Sequence, residues 1–133
     1  MQAEQDMMRR IAVSLCAAGM VLAWGCSGAD AAGNAATGSA LYSRCYICHS
    51  NTKGASNRMG PNLFGVIGRK AGTYPGFDYS PAMKKAGFVW TVAKLDAYLA
   101  DPQKIVPGNN MPLGGIADAR QRADIAAYLA TLK

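Results

Sequence analysis

The chain has 133 residues, which is room for one small domain and not two. Its 14 Lys/Arg against 8 Asp/Glu leave a formal net charge of +6. Those charges are scattered and no nucleic-acid-binding motif accompanies them, so nucleic acid is set aside in favour of a basic surface suited to an acidic protein partner.

The first segment reads as a secretory leader. Arg9 and Arg10 precede an apolar run from Ile11 to Gly25, and Ala29-Asp30-Ala31 then offers a small-x-small cleavage site. A membrane anchor is the alternative, but the run is 15 residues long, short of the ~20 needed to span a bilayer. The expectation is therefore a cleavable signal peptide over 1–31, export to a bacterial periplasm, no stable membrane insertion, and a mature domain over 32–133. Glu4 and Asp6 are odd in a basic leader and place the biological start at Met7 or Met8. Leu22-Ala23-Trp24-Gly25 before Cys26 is loosely a lipoprotein box, with bulky Trp24 against it. A lipid-anchored form is thus the lesser alternative.

A helix is expected from about Gly38 to Cys48, after a frayed lead-in at 32–36. It carries the most informative string of the chain, Cys45-Tyr46-Ile47-Cys48-His49. Cys-x-x-Cys-His is the attachment signature of a c-type haem. The thiols are spaced to form thioethers with two haem vinyl groups, and the adjacent imidazole reaches the iron. Cys-x-x-Cys also serves thioredoxin-like enzymes and zinc sites. Zinc needs four ligands, yet His49 is the only histidine, and Cys16 and Cys26 leave with the leader. No alternating strand pattern precedes Cys45, which speaks against the thioredoxin setting.

Residues 50–82 are rich in Gly, Pro, Asn and Ser, with little periodicity. So long a loop is unusual in a compact domain and makes sense if it wraps a large flat cofactor. Thr91 to Ala100 is the next predicted helix, with Leu95, Tyr98 and Leu99 at helical spacing and Asp101-Pro102 ending it. Ile105 to Gly115 is a second loop. Asp118 to Leu132 is an amphipathic helix with Ile125, Tyr128, Leu129 and Leu132 on one stripe. The fold class is all-α. About 100 residues make a marginal core, which a covalently held haem would complete.

A haem iron bound by His49 needs a second axial ligand, and the mature chain offers Met59, Met83 and Met111. Met59 is ten residues past His49 and would have to cross to the other haem face. Met83 near the Pro81 turn suits packing. Met111 lies between Pro107-Gly108 and Pro112, in a loop with a fixed backbone, and is the choice.

With these residues in hand, the chain resembles the class I c-type cytochromes, mitochondrial cytochrome c and its small bacterial relatives. The resemblance covers nearly all of 38–132. It rests on Cys45-x-x-Cys48-His49, Gly60-Pro61-Asn62-Leu63, Gly65-x-x-Gly68-Arg69-Lys70, Phe77-x-Tyr79, Trp90, Tyr98-Leu99, Pro107-Gly108 and Met111. It implies the cytochrome c fold, three main helices with long loops around one covalent haem c per chain. It implies His49 and Met111 as axial ligands and Cys45 and Cys48 as thioether anchors. The Pro61 carbonyl would accept the imidazole N–H. Arg69, Tyr79 and Trp90 would hydrogen-bond or neutralise the haem propionates, and Tyr98 would lie beside the Met111 sulfur. Gly38 and Tyr42 would let the first helix cross the last, against Ile125 and Tyr128. Taken singly, Trp90 and Tyr98 read as core aromatics and Arg69 as a solvated loop charge.

The sequence also departs from the family pattern. Met83 stands at a family asparagine of the haem-pocket water network, Asn109 and Asn110 replace a threonine and a lysine, and Leu113 replaces an aromatic. With both axial positions filled there is no place for substrate, so the expected function is a soluble one-electron carrier and not an enzyme. Two alternatives are a gas or peroxide binder with a labile Met111 and a haem subunit of a larger oxidoreductase. From Ala32 onward 12 Lys/Arg stand against 5 Asp/Glu, a net +7. Lys53, Lys84, Lys85 and Lys104 would steer a monomer toward acidic surfaces of donor and acceptor proteins, such as respiratory or photosynthetic complexes.

Overall fold

The computed structural model describes residues 32–133; the expected leader, with Arg9-Arg10 and Cys26, lies outside the described residues. Six helices follow in order: α1 Ala35–Leu41, α2 Ser43–Tyr46, α3 Pro81–Lys85, α4 Val92–Ala100, α5 Pro102–Ile105 and α6 Ala119–Thr131. Among the described residues the only β pairing is an isolated bridge, Lys70 to Val89. The fold is all-α, and its long helices are those expected.

The first helix starts earlier than its apolar pattern suggests and breaks once. Asn34 Oδ1 accepts the Thr37 N–H at 3.0 Å, an N-cap that satisfies one orphan donor of the first turn. The Asn34 N–H in turn donates to Asp124 Oδ1 at 2.6 Å. The expected frayed lead-in is thereby fastened to α6. Tyr42 ends α1 and begins α2, in helical backbone throughout.

Helix α1 crosses α6 at Gly38. A Cβ there would overlap the Asp124 carbonyl and lie 2.8 Å from Tyr128 Cβ, so only hydrogen allows this approach. The Tyr42 and Tyr128 rings meet at 5.4 Å beside the crossing. The contact is with the Asp124 backbone and Tyr128, one residue displaced from the expected Ile125. Ile125 is instead wholly buried beneath it, worth about 1.5–3 kcal/mol for such a side chain.

Helices α4 and α6 are each capped by the residue at which the predicted helix begins. Thr91 Oγ1 accepts the Lys94 N–H, and Asp118 accepts from Arg120 and Gln121. Leu95, Tyr98, Leu99, Ile125 and Leu129 are all buried, with Trp90 and Met83 in the same core. Arg122 ties α6 to α4 through Asp96 at 2.9 Å and also donates to the Ile116 and Ala117 carbonyls.

Two short helices arise at and beyond the edges of the expected loops, in stretches assigned no helix. Ser80 Oγ accepts the Met83 N–H to open α3, with Pro81 at its first position. Asp101 ends α4 as expected but also caps α5 by accepting the Lys104 N–H. Both are Ser/Asp-Pro starts, for which proline's fixed φ and missing donor are suited.

Candidate functional site

The Cys45–His49 segment is one helical turn. The N–H groups of Cys48 and His49 both donate to the Cys45 carbonyl, at 3.0 and 2.9 Å. Both thiols are half-buried and not bonded to each other. Burial pushes the Cys45 thiol up, against a smaller opposing pull from Arg44. A thiol-redox enzyme needs the opposite shift to make a thiolate, so Cys45 is not activated in that sense. Among the described residues no three His, Cys, Asp or Glu side chains gather as a metal cage, which leaves zinc without its ligand set.

His49 is held on three sides. Its Nδ1 lies 2.7 Å from the Pro61 carbonyl. A carbonyl only accepts, so Nδ1 carries the proton and Nε2 keeps its lone pair. Burial lowers the pKa of the ring, partly countered by the Pro61 bond, while Arg69 lowers it further. The imidazole is therefore neutral, as a metal ligand must be. The Gly60 backbone lies against the ring face and its N–H donates to the Cys48 carbonyl at 2.8 Å. Behind the ring, the Tyr42 hydroxyl donates toward the His49 and Ser50 carbonyls, at 3.1 and 3.3 Å.

Asn62 organises the following loop, a role its place in the Gly60-Pro61-Asn62-Leu63 string did not reveal. It is fully buried. Its Nδ2 donates to the Thr52 and Ala55 carbonyls at 2.8 and 2.9 Å, and its Oδ1 accepts the Phe64 N–H at 2.9 Å. Arg58 is a second unforeseen support: it sits 4.7 Å over the Tyr46 ring and donates to the Tyr46 carbonyl.

Arg69, Tyr79 and Trp90 are brought to one side of the molecule. Arg69 and Trp90 share a short ladder, with the Trp90 N–H donating to the Arg69 carbonyl at 2.9 Å and the Gly68 N–H to that of Trp90 at 2.8 Å. The Arg69 guanidinium donates to the Asn62 and Phe64 carbonyls and lies 4.5 Å over the Tyr74 ring. It is half-buried, close enough to Tyr79 for each to perturb the other, and has no carboxylate partner among the described residues. A half-buried cation without a counter-charge is costly, and an anionic group at this place would offset that cost. Trp90 packs edge-on between Phe88 and Tyr98, at 4.8 and 5.0 Å. Burial pushes the Tyr98 phenol up to about 12.

The three methionines separate clearly. Met59 is 73% exposed, whereas Met83 is 8% exposed and part of the core. Met111 is half-buried against the core in the loop before α6, and Gly108 in that loop has φ +86°, the sharp turn expected of it. Neutral imidazole, two unpaired thiols on the same turn and an uncompensated arginine fit a haem c, and no residue of the set conflicts with one.

Fold and site together define a small all-α haem-binding protein. A family model described as Cytochrome c matches residues 35–133. Cytochrome c2 of Rhodopila globiformis is 52% identical over 89 residues, covering 67% of this chain and 83% of that protein. Cytochrome c2 of Rhodomicrobium vannielii is 42% identical over 120 residues, covering 90% and 95%. The solved structure of cytochrome cH from Methylobacterium extorquens is 45% identical with a TM-score of 0.70, over 74% of this chain and 99% of that one. The chain belongs to the cytochrome c family. It is an electron carrier of the class I c type, with haem c attached covalently.

Proposed function

We propose that His49 and Met111 are the two axial iron ligands and that Cys45 and Cys48 hold the haem by thioethers. The observation that carries this is the 2.7 Å bond from His49 Nδ1 to the Pro61 carbonyl. It commits one ring nitrogen to the protein, leaves Nε2 for iron and raises the donor strength of the imidazole. Met111 follows because Met59 is exposed and Met83 is packed in the core. Arg69, with Tyr79 and Trp90, would meet the propionates, and Tyr98, buried in the core against which Met111 packs, would stand near the ligand sulfur.

Bound here, the haem supplies a one-electron Fe(III)/Fe(II) couple. The residues of the chain do the rest. The helical turn and the Gly60–Pro61 backbone hold His49 in one orientation, so little reorganises when the charge changes. The buried Leu95, Leu99 and Trp90 exclude water, which with a thioether ligand favours the reduced state. With His49 and Met111 both holding the iron, no position would remain for a substrate, and the protein would work as a shuttle and not as an enzyme.

The shuttle is exported to the periplasm after removal of 1–31. In support, a 120-residue match to the Rhodomicrobium vannielii cytochrome c2 is too long to fit within 32–133 and so extends into the leader. No helix among the described residues is long and apolar enough to cross a membrane. Lys53, Lys85 and Lys104 are exposed and form no ion pair among the described residues, whereas Lys84 is paired with Asp78 at 2.8 Å. The first three therefore carry the attraction toward acidic faces of redox partners, with Lys84 contributing less than the sequence suggests.

The test is the absorption spectrum of the oxidised native protein at neutral pH. A methionine–ferric charge-transfer band is expected, and its loss in Met111→Ala. A wild-type spectrum without that band would sink the ligand assignment. The intact mass reports cleavage, any lipid at Cys26 and covalent haem together.

A further inference from the structure

The loop that presents Met111 is held by two amide side chains whose roles go beyond the ligand assignment, although the inference rests on that assignment. Asn109, two residues before Met111, is buried. Its Oδ1 accepts the Met111 N–H at 2.9 Å, and its Nδ2 donates to both the Pro102 and Val106 carbonyls at 2.9 Å. Gln103 reaches over the same turn from the exposed side of α5. Its Nε2 donates to the Asn109 carbonyl at 3.0 Å and its Oε1 accepts the Gly108 N–H at 3.1 Å.

These bonds matter because, besides the packing of Met111 and Leu113 against the core, few hydrogen bonds hold the segment. Helix α5 has 4 residues, too few to persist on its own helical bonds. On the far side the chain is fastened again only at Ile116, whose N–H donates to the Leu99 carbonyl at 2.8 Å and whose own carbonyl accepts from Arg122. Between those points, across 110–115, the Met111 N–H is the only backbone group with a hydrogen bond among the described residues, and it goes to Asn109.

We propose that Asn109 and Gln103 form an amide clasp that positions Met111 and sets how seldom its sulfur leaves the iron. A thioether is a neutral ligand with no charge to hold it, so its residence depends on the loop staying closed. Only a primary amide at 109 can accept the Met111 N–H and donate to two carbonyls at once; a hydroxyl has one proton to give. The clasp is thus a property of this chain's Asn109, at a position where the resemblance leads one to expect threonine. Asn109 acts through the backbone of Met111 and Gln103 through the Gly108 and Asn109 backbone just before it, both as positioning residues.

Added imidazole can bind ferric iron only after Met111 has left, so its binding rate to the intact oxidised protein reads loop opening. Gln103→Ala, an exposed change, should raise that rate about 5–10-fold, and Asn109→Ala about 30-fold or more, as two and three hydrogen bonds are lost. Global stability, from urea unfolding of the same proteins, should fall by a smaller factor than opening rises. Rates equal to wild type in Gln103→Ala and Asn109→Ala would overturn the clasp. So would gains no larger than the loss in the folding equilibrium constant, which a merely structural role would produce. The Met111 reading fails separately, if wild-type protein lacks the methionine–ferric charge-transfer band. With the band present and the rates unmoved, the clasp alone is wrong.

Discussion

Gly60 lies directly against the His49 ring: a Cβ on it would sit 2.6 Å from Nδ1 and 2.8 Å from Nε2. The backbone at 60 and the carbonyl of Pro61 together fix both the tilt and the tautomer of the imidazole. Gly60→Ala must therefore push the ring away or bend the chain, at about 1–3 kcal/mol for such overpacking. The expected outcome is a lowered urea midpoint and a smaller fraction of chain recovered with covalent haem. Full stability and full haem content in this variant would show that the ring is not so confined.

The α1–α6 crossing predicts a second glycine effect, remote from the haem motif. Gly38→Ala sets a methyl group against the Asp124 carbonyl and Tyr128 Cβ. The helices must separate, with a loss of about 1–3 kcal/mol. Hydrogen exchange should show the Asn34–Asp124 tie and the α1 amides opening first. Exchange there at the wild-type rate would contradict the crossing.

Asn62→Ala removes three side-chain hydrogen bonds and leaves the Thr52 and Ala55 carbonyls and the Phe64 N–H to find other partners. Each buried group left unpaired costs about 1–3 kcal/mol, so this should be among the more destabilising loop substitutions. Thermal unfolding checks it, with the exposed Asn110→Ala as the mild comparison.

Two buried tyrosines predict alkaline sensitivity. Burial raises Tyr42 well above the usual phenol range and Tyr98 from 10.0 to about 12. The folded state thus favours the neutral phenol. Stability is level below about pH 10 and falls as pH rises toward 12, by about 1.4 kcal/mol per pH unit for each such group. Tyr98→Phe should flatten that slope in urea titrations of the reduced protein. An unchanged slope would place the alkaline loss elsewhere.

Docking by charge predicts salt dependence. Association with an acidic redox partner should slow steeply as ionic strength rises. Lys85→Glu and Lys104→Glu should slow it several-fold at low salt and little at high salt. Stopped-flow rates that ignore salt would rule out steering.

Much of this molecule was legible before folding was considered. The spacing of Cys45, Cys48 and His49 points to haem attachment, and the lack of further Cys and His in the expected mature chain is what sets zinc aside. Thr91 and Asp118 announce α4 and α6, and the buried stripe Leu95-Tyr98-Leu99 follows from helical periodicity. Such signals are local: they depend on residues within a turn or two of each other, and backbone geometry reproduces them wherever they occur. The start of α1 was local as well, in the Asn34 cap, but an apolar-pattern reading passes over a polar residue. What only the tertiary structure decided lies in the loops and between distant segments. The approach of Gly60 to His49, the three-way bonding of Asn62, the bonds of Arg69 to the Asn62 and Phe64 carbonyls and the clasp of Asn109 with Gln103 have no period to display. Each is a hydrogen bond or close contact whose partners are main-chain atoms. Main-chain atoms are the same in every residue, so no side-chain pattern can say where they point until the chain has folded.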